Sequence, residues 1–357
     1  MSVRLSLTAA AISILATAFL AAAPVEIFPP ELRGAVQPQV AVAPSGRIHV
    51  VFGKDNAVFH TTSPDGRAFT APVKIGELEK LALKMRRGPR VTATDKLVLV
   101  TAISHADGNV HAWTSADTGK TWKETAPLNT VPKSAREGLQ ALAGDGRGIV
   151  AAVWLDMRGK GTEPWSRVSR DGGATWADEV SIYQSPDGHI CECCVPTVAI
   201  SPTGEIAAMW RNWLGGSRDM WLAVSRDGGR TFADAQKLGS GTWKLNGCPM
   251  DGGAVAFASD GQPLAVWRRE KTIFASATPE LEDRLSDSGL QPVIQAGSRG
   301  VVTVWEERGG LMLKRDQAAP TQLSANGRAA AMAAMSDGGA VIAWETPDGA
   351  IMADVVR

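Results

Sequence analysis

Residues 169–176 read SRDGGATW, and the same eight-residue pattern returns as SADTGKTW at 115–122 and as SRDGGRTF at 225–232. A copy one residue shorter, SPDGRAF, occupies 63–69. The aspartates of the full copies, Asp117, Asp171 and Asp227, stand 54 and 56 residues apart, and a period of that size marks a chain assembled from repeated supersecondary units. The pattern itself is turn chemistry. A short acidic side chain accepts N–H groups of its own turn, glycine permits positive φ, and the closing aromatic offers a ring to bury.

A second element repeats between these turns. The apolar segments IHVVF, LVLVTAI, IVAAVW, IAAMW, LAVW, VVTVW and VIAW make seven copies, of which the last five close on Trp154, Trp210, Trp267, Trp305 and Trp344. Upstream of most lies another strand-like run with a glycine turn, as in VAVAPSGR, VAISPTGE and VAFASDGQ; downstream, a further strand leads into the Ser-x-Asp turn. Each unit therefore reads strand, turn, strand, loop, strand, Asp turn, strand. Four antiparallel strands per 40 to 55 residues make a propeller blade.

The Asp turns resemble the Asp-box, or bacterial neuraminidase repeat, and the resemblance runs over nearly all of the chain after its leader. It implies an all-β fold, a sialidase-like β-propeller of four-stranded antiparallel blades. Seven repeats favour seven blades, with the last repeat taking its missing strand from the N-terminal VEIF as a clasp. Six blades, the sialidase number, is the alternative, because the last two repeats are short and lack the box. Asp65, Asp117, Asp171 and Asp227 are read as structural: one per blade, they are spread around a circle and cannot converge on one substrate. In the resembling family they lie on the face away from the active site.

Residues 1–23 have the layout of a signal peptide, with an early arginine, a short alanine-rich apolar run and a small-residue stretch before Pro24. The expected product is one exported domain, 24–357, periplasmic or extracellular, with no membrane span. Lysine plus arginine equals aspartate plus glutamate, 37 of each, so no global field draws in nucleic acid. Thirty-seven glycines and twelve tryptophans against a single tyrosine suit many tight turns between short strands that carry large buried rings.

Loops in such a fold alternate between two faces. The loops leading into each innermost strand share one face with those joining the second and third strands, and the Asp turns occupy the other. This sorting brings GHICECCVPT (188–197) and NGCPMDGG (246–253) together on adjacent blades near the axis. Cys191, Cys193, Cys194 and Cys248, with His189 and Met250, form a soft-donor set suited to copper or zinc. Four cysteines in an exported chain equally suit disulfides, such as a Cys194–Cys248 staple between blades. Arg87, Arg136, Arg211, Arg218 and Arg268 fall on the same face with Asp219 and Asp251, an arginine-rich surface on a neutral protein and a candidate site for a small anionic ligand or glycan. Inter-blade ion pairing is the competing account of those arginines.

The resemblance also implies sialidase chemistry, with three arginines on the substrate carboxylate, a tyrosine nucleophile activated by a glutamate, and an aspartate acid/base. The fit is poor here. There is no Arg-Ile-Pro near the N-terminus, and the single tyrosine, Tyr183, precedes the cysteine loop instead of lying late in the repeats. Three functions stay open: binding of a small anionic or soft-metal ligand, hydrolysis of sialic-acid-like glycosides, and a protein-binding scaffold. No catalytic residue is assigned.

Overall fold

The computed structural model describes residues 23–357; the leader read at 1–23 lies outside the described residues apart from Ala23. Strands pair into seven separate four-stranded antiparallel sheets. Six sheets are built from consecutive strands, and in the seventh the strand order runs from Arg328–Ala334 through Ala340–Glu345 and Ile351–Val356 to the N-terminal Val25–Glu26. The clasp expected of VEIF is therefore formed, with Val25 opposite Ala353 and Glu26 opposite Met352. The Ile27 N–H donates to Ile351 O at 3.0 Å. The seven-blade count holds. Apart from one 3-10 turn, Pro30–Leu32, the described residues carry no helix, and none is long and apolar enough to cross a membrane.

Each blade has two apolar faces and only its neighbours to bury them against, which is why the sheets close into a ring. The second strand of five blades, pleated between two sheets, is buried along nearly its full length, and in the fifth and sixth blades its central residues are; the five tryptophans near the ends of these strands are at most 2% exposed. Trp210 packs with Leu139, Val153 and Leu155 of the preceding blade, and Trp344 with Val302 and Val304 of the blade before its own. Trp154 and Trp305 donate their indole N–H to acids two residues further along the strand, Asp156 at 2.7 Å and Glu307 at 2.9 Å. Where that position holds Asn212 or Thr346 instead, the indole nitrogens of Trp210 and Trp344 have no partner.

The Asp turns behave as their chemistry dictates. Asp117 accepts the Thr121 N–H at 2.9 Å and its hydroxyl at 2.6 Å, and Ser115 Oγ accepts the Gly119 N–H at 2.8 Å. Asp171 and Asp227 repeat the arrangement, and Asp65 caps its shorter turn through the Arg67 N–H. Hydrogen bonds from the threonines hold Asp117, Asp171 and Asp227 well below the usual carboxylate range. Gly119 has φ of +90°, and a Cβ there would run into the His60 ring of the previous blade. The box is thus turn and inter-blade wedge at once, with Trp122 edge-on to His60 at 5.1 Å.

The first blade holds a pair of buried histidines that sequence reading passed over. His49 Nδ1 and His60 Nε2 are 3.0 Å apart. Burial pushes His49 down to about 4, and burial with the neighbouring His49 pushes His60 to about 3. Both rings are therefore neutral in the fold, while in the unfolded chain they take up protons as the pH drops below about 6.5. Protons then favour the unfolded state. Stability measured by denaturant titration is expected to fall from pH 6.5 to pH 5, and His60→Gln is expected to flatten that slope. The clasp yields a second expectation. Ile27, 2% exposed, lies in the core shared by the last blade and the first, so Ile27→Ala should cost about 2–5 kcal/mol in the same titration.

Candidate functional site

The innermost strands of all seven blades surround an axial cavity of about 580 Å³. Arg86 and Arg90 line it on the face of the blade-approach loops, and Asp145, Arg147 and Pro202 line it on the glycine-turn face. Around its upper end the chain uses one device three times. The innermost strands starting at Val36, Leu290 and Arg328 each carry a register shift, with Gln37, Gln291 and Ala329 in the left-handed region at φ of 58°, 51° and 51°. The N–H freed at each bulge donates to a carboxylate of the preceding blade: Gln37 to Glu345 at 2.7 Å, Gln291 to Asp251 at 3.0 Å, and Ala329 to Glu306 at 2.8 Å. Arg86 lies within the field of all three acids. Burial raises the pKa of Asp251 and of Glu306, and Asp251 Oδ1 has no hydrogen-bond partner.

Most of the arginines expected on this face are engaged. Arg211, 1% exposed, donates to three backbone carbonyls, Asp251 at 3.0 Å, Arg218 at 2.7 Å and Arg268 at 2.9 Å, tying its blade to the next. Arg268 reaches Asp251 Oδ2 at 3.4 Å, and Arg87 donates to Glu137 O at 2.7 Å. Asp219 caps the Trp243 N–H at 2.8 Å. Arg136 is exposed, and its carbonyl lies 3.0 Å from His105 Nδ1. The bulge-capping role of these acids and the arginine-to-carbonyl ties went unread in the sequence, where Asp251 reads as a ligand-binding residue; for Glu306 and Glu345 the signal was an acid at the end of a second strand.

The cysteine loop hangs on this framework. The Cys191 N–H donates to Arg211 O at 3.0 Å and the Ile190 N–H to Thr162 O at 2.9 Å, pinning residues 190–191 between two blades. Three sulfurs converge there. Cys191 Sγ is 3.3 Å from Cys194 Sγ and 3.6 Å from Cys193 Sγ, and Cys193 Sγ is 4.0 Å from Cys194 Sγ. Cys191 and Cys194 are buried, Cys193 partly so. Arg218 donates through Nη1 to Cys191 Sγ at 3.0 Å while its guanidinium lies 4.5 Å over the Trp213 ring. Cys191 is accordingly the sulfur that carries charge: hydrogen bonding from Cys193 and Cys194, then Arg218 and Arg211, lowers it to about 3. Burial, with the charge on Cys191, pushes the Cys194 thiol up.

The remaining soft donors of the expected set stand outside this triangle. All four cysteines are free, so the staple drawn between Cys194 and Cys248 is not formed. Sequence separation had left the pairing open; Cys248 is exposed on the loop that Arg218 ties to the site by donating to Leu245 O at 3.3 Å, and the Cys193 thiol with partial burial raises it to about 11. His189 is turned away, its Nδ1 3.1 Å from Ile190 O and its ring stacked at 6.0 Å on Trp213. Met250 is exposed, with φ of 50°, and its carbonyl accepts from Gln291 Nε2 at 2.7 Å. Tyr183 packs between Trp210 and Trp221 at 5.2 and 5.7 Å and accepts a hydrogen bond from Asn212 Nδ2 at 3.0 Å.

No curated protein matches the sequence. Among solved structures, the chain is similar to Penicillium chrysogenum α-L-arabinanase complexed with arabinobiose, at 15% identity and a TM-score of 0.56 over 95% of this chain and 98% of that one. It is also similar to a catalytically inactive Staphylococcus aureus virginiamycin B lyase with quinupristin, at 12% identity and a TM-score of 0.56 over 94% and 98%. A leech intramolecular trans-sialidase matches at 10% identity and a TM-score of 0.52 over 96% and 70%. At such identities the likeness is one of fold, in agreement with the repeats. Residues 79–272, more than half of the sequence, match the family described as BNR repeat-like domain, and the chain belongs to that family.

Proposed function

We propose that this propeller binds a soft metal ion, Cu(I) foremost, through the thiolates of Cys191, Cys193 and Cys194. The observation that carries the reading is the shape of the sulfur triangle. The three ligand atoms lie within 4.8 Å of one another, and the point equidistant from sulfurs with the edges given above is about 2.1 Å from each. A zinc–thiolate bond is about 2.3 Å, so the three sulfurs would hold one ion of that size without rearrangement. Three sulfurs with no nitrogen or oxygen at hand suit soft Cu(I); zinc, which prefers four ligands, needs a water or another side chain to complete its shell. Arg218 and Arg211 supply positive charge beside the anionic cluster. The leader read in the sequence would place this site outside the cytoplasm.

Glycan binding or hydrolysis on the same face is the second reading, supported by the fold shared with an arabinanase and a trans-sialidase. Against a tyrosine mechanism stands the packing of Tyr183, whose hydroxyl is held by Asn212 at the flank of a blade. With Arg87, Arg211 and Arg268 already bound to carbonyls and carboxylates, recognition of an anion falls to Arg136 and Arg218.

Anaerobic titration of the reduced apoprotein with Cu(I), followed by thiolate-to-copper ultraviolet absorption, should show one equivalent bound per chain, and Cys194→Ser should abolish it. Arg218→Ala, which removes the donor that orients the Cys191 thiolate, should weaken binding roughly 10–100-fold without changing the stoichiometry. A wild-type chain that takes up neither copper nor zinc would refute the assignment.

A further inference from the structure

Resting on the three-thiolate reading, we propose that Cys248-Pro249-Met250 is the port through which the metal enters and leaves, with Cys193 as the sulfur shared between port and site. The buried position of Cys191 and Cys194 poses the problem: a copper ion carried by an outside ligand cannot reach them directly. Cys193 alone of the three is partly open, and Arg218, which donates to Cys191 Sγ at 3.0 Å, also donates to Leu245 O at 3.3 Å, so the loop leading into the next blade is tied to the sulfur site and presents Cys248 to solvent beside it. Two residues further on, Met250 is 41% exposed, a large apolar side chain displayed on the surface beside a thiol. Packing does not explain the display, since Met250 belongs to none of the core clusters. Thiolate and thioether are the donors that compete for Cu(I) against a carrier with similar ligands.

The path follows from the order of the sulfurs. Copper held by an external soft-ligand carrier bonds first to the Cys248 sulfur, whose proton passes to solvent, and the carrier bond breaks. Cys193 then bonds to the same ion and releases its proton. As the Cys191 thiolate and Cys194, which gives up its proton, complete the triangle, the bond to Cys248 breaks and the Cys248 sulfur takes up that proton. The ion remains Cu(I) throughout, so the exchange needs no oxidant or reductant. Residues 246–250 belong to no strand, so the port can shift toward Cys193 without breaking the sheet. The partner implied is a donor or acceptor that presents copper through exchangeable sulfur or nitrogen ligands.

The test measures rate apart from capacity. Reduced apoprotein is mixed in a stopped-flow cell with the coloured Cu(I)–bicinchoninate complex, for wild type, Cys248→Ser and Met250→Leu, each checked against wild type for its melting midpoint. The expected result is one copper per chain for all three, with loading slowed several-fold in each variant and most in Cys248→Ser. Loading of Cys248→Ser at the wild-type rate would overturn the port. Loss of the bound copper in Cys248→Ser would overturn it too, by making Cys248 a resident ligand. A wild-type chain that removes no copper from the complex would overturn the three-thiolate site, and the port with it.

Discussion

Side-to-side burial of the blades is the interaction on which the rest of this structure depends. A four-stranded twisted sheet with both faces apolar has no stable existence alone, and a ring in which every face meets another is the closed solution. The chain concentrates that burial at the tryptophans ending five of its second strands, each at most 2% exposed and each shared with the blade before it. Ring closure then becomes a topological demand, met by borrowing the first strand of the chain for the last blade. Because Ile27 and Phe28 sit in the core between the last blade and the first, the clasp joins the two ends by packing as well as by strand pairing.

Closure has a consequence at the axis. Seven innermost strands meet around the cavity there, and three of them carry a bulge whose free N–H would be costly if left unpaired in the interior. Glu345, Asp251 and Glu306 satisfy those groups from the neighbouring blade. Arg86 supplies the compensating charge, and Arg211 ties two further blades through their carbonyls. Much of the charge on this face is therefore spent in holding the ring. That division separates the arginines that look like a binding surface in the sequence from Arg218, which reaches a thiol.

The sulfur site is a by-product of the same geometry put to use. Its loop is held at Ile190 and Cys191 by backbone bonds to Thr162 and Arg211, so the adjacent turn, which carries Cys193 and Cys194, folds back on a fixed anchor. The two loops of the cysteine face play unequal parts: one supplies three converging sulfurs and the other an exposed thiol and thioether. Their difference in burial is the asymmetry on which the proposed site and port rest.

The sequence by itself determined the repeat and the blade and sorted the cysteine loops onto one face, because these follow from local periodicity and turn chemistry and from the alternation of loops that four strands impose; it favoured seven blades and the clasp over six, and the sheet order decided between them. It also determined that Asp65, Asp117, Asp171 and Asp227 are turn residues, since a short acidic side chain beside glycine accepts N–H groups of its own turn and the pattern recurs once per blade. Only the tertiary structure decided which of the soft donors meet. His189 is two residues from Cys191 yet stacks away on Trp213, while the loop of Cys248, 54 residues beyond Cys194 in the sequence, is tied through Arg218 to Cys191. The bulge caps and the His49–His60 pair were equally illegible. Such contacts depend on distances between side chains of different strands and blades, and those are set by register, sheet twist and ring closure, which no local pattern encodes.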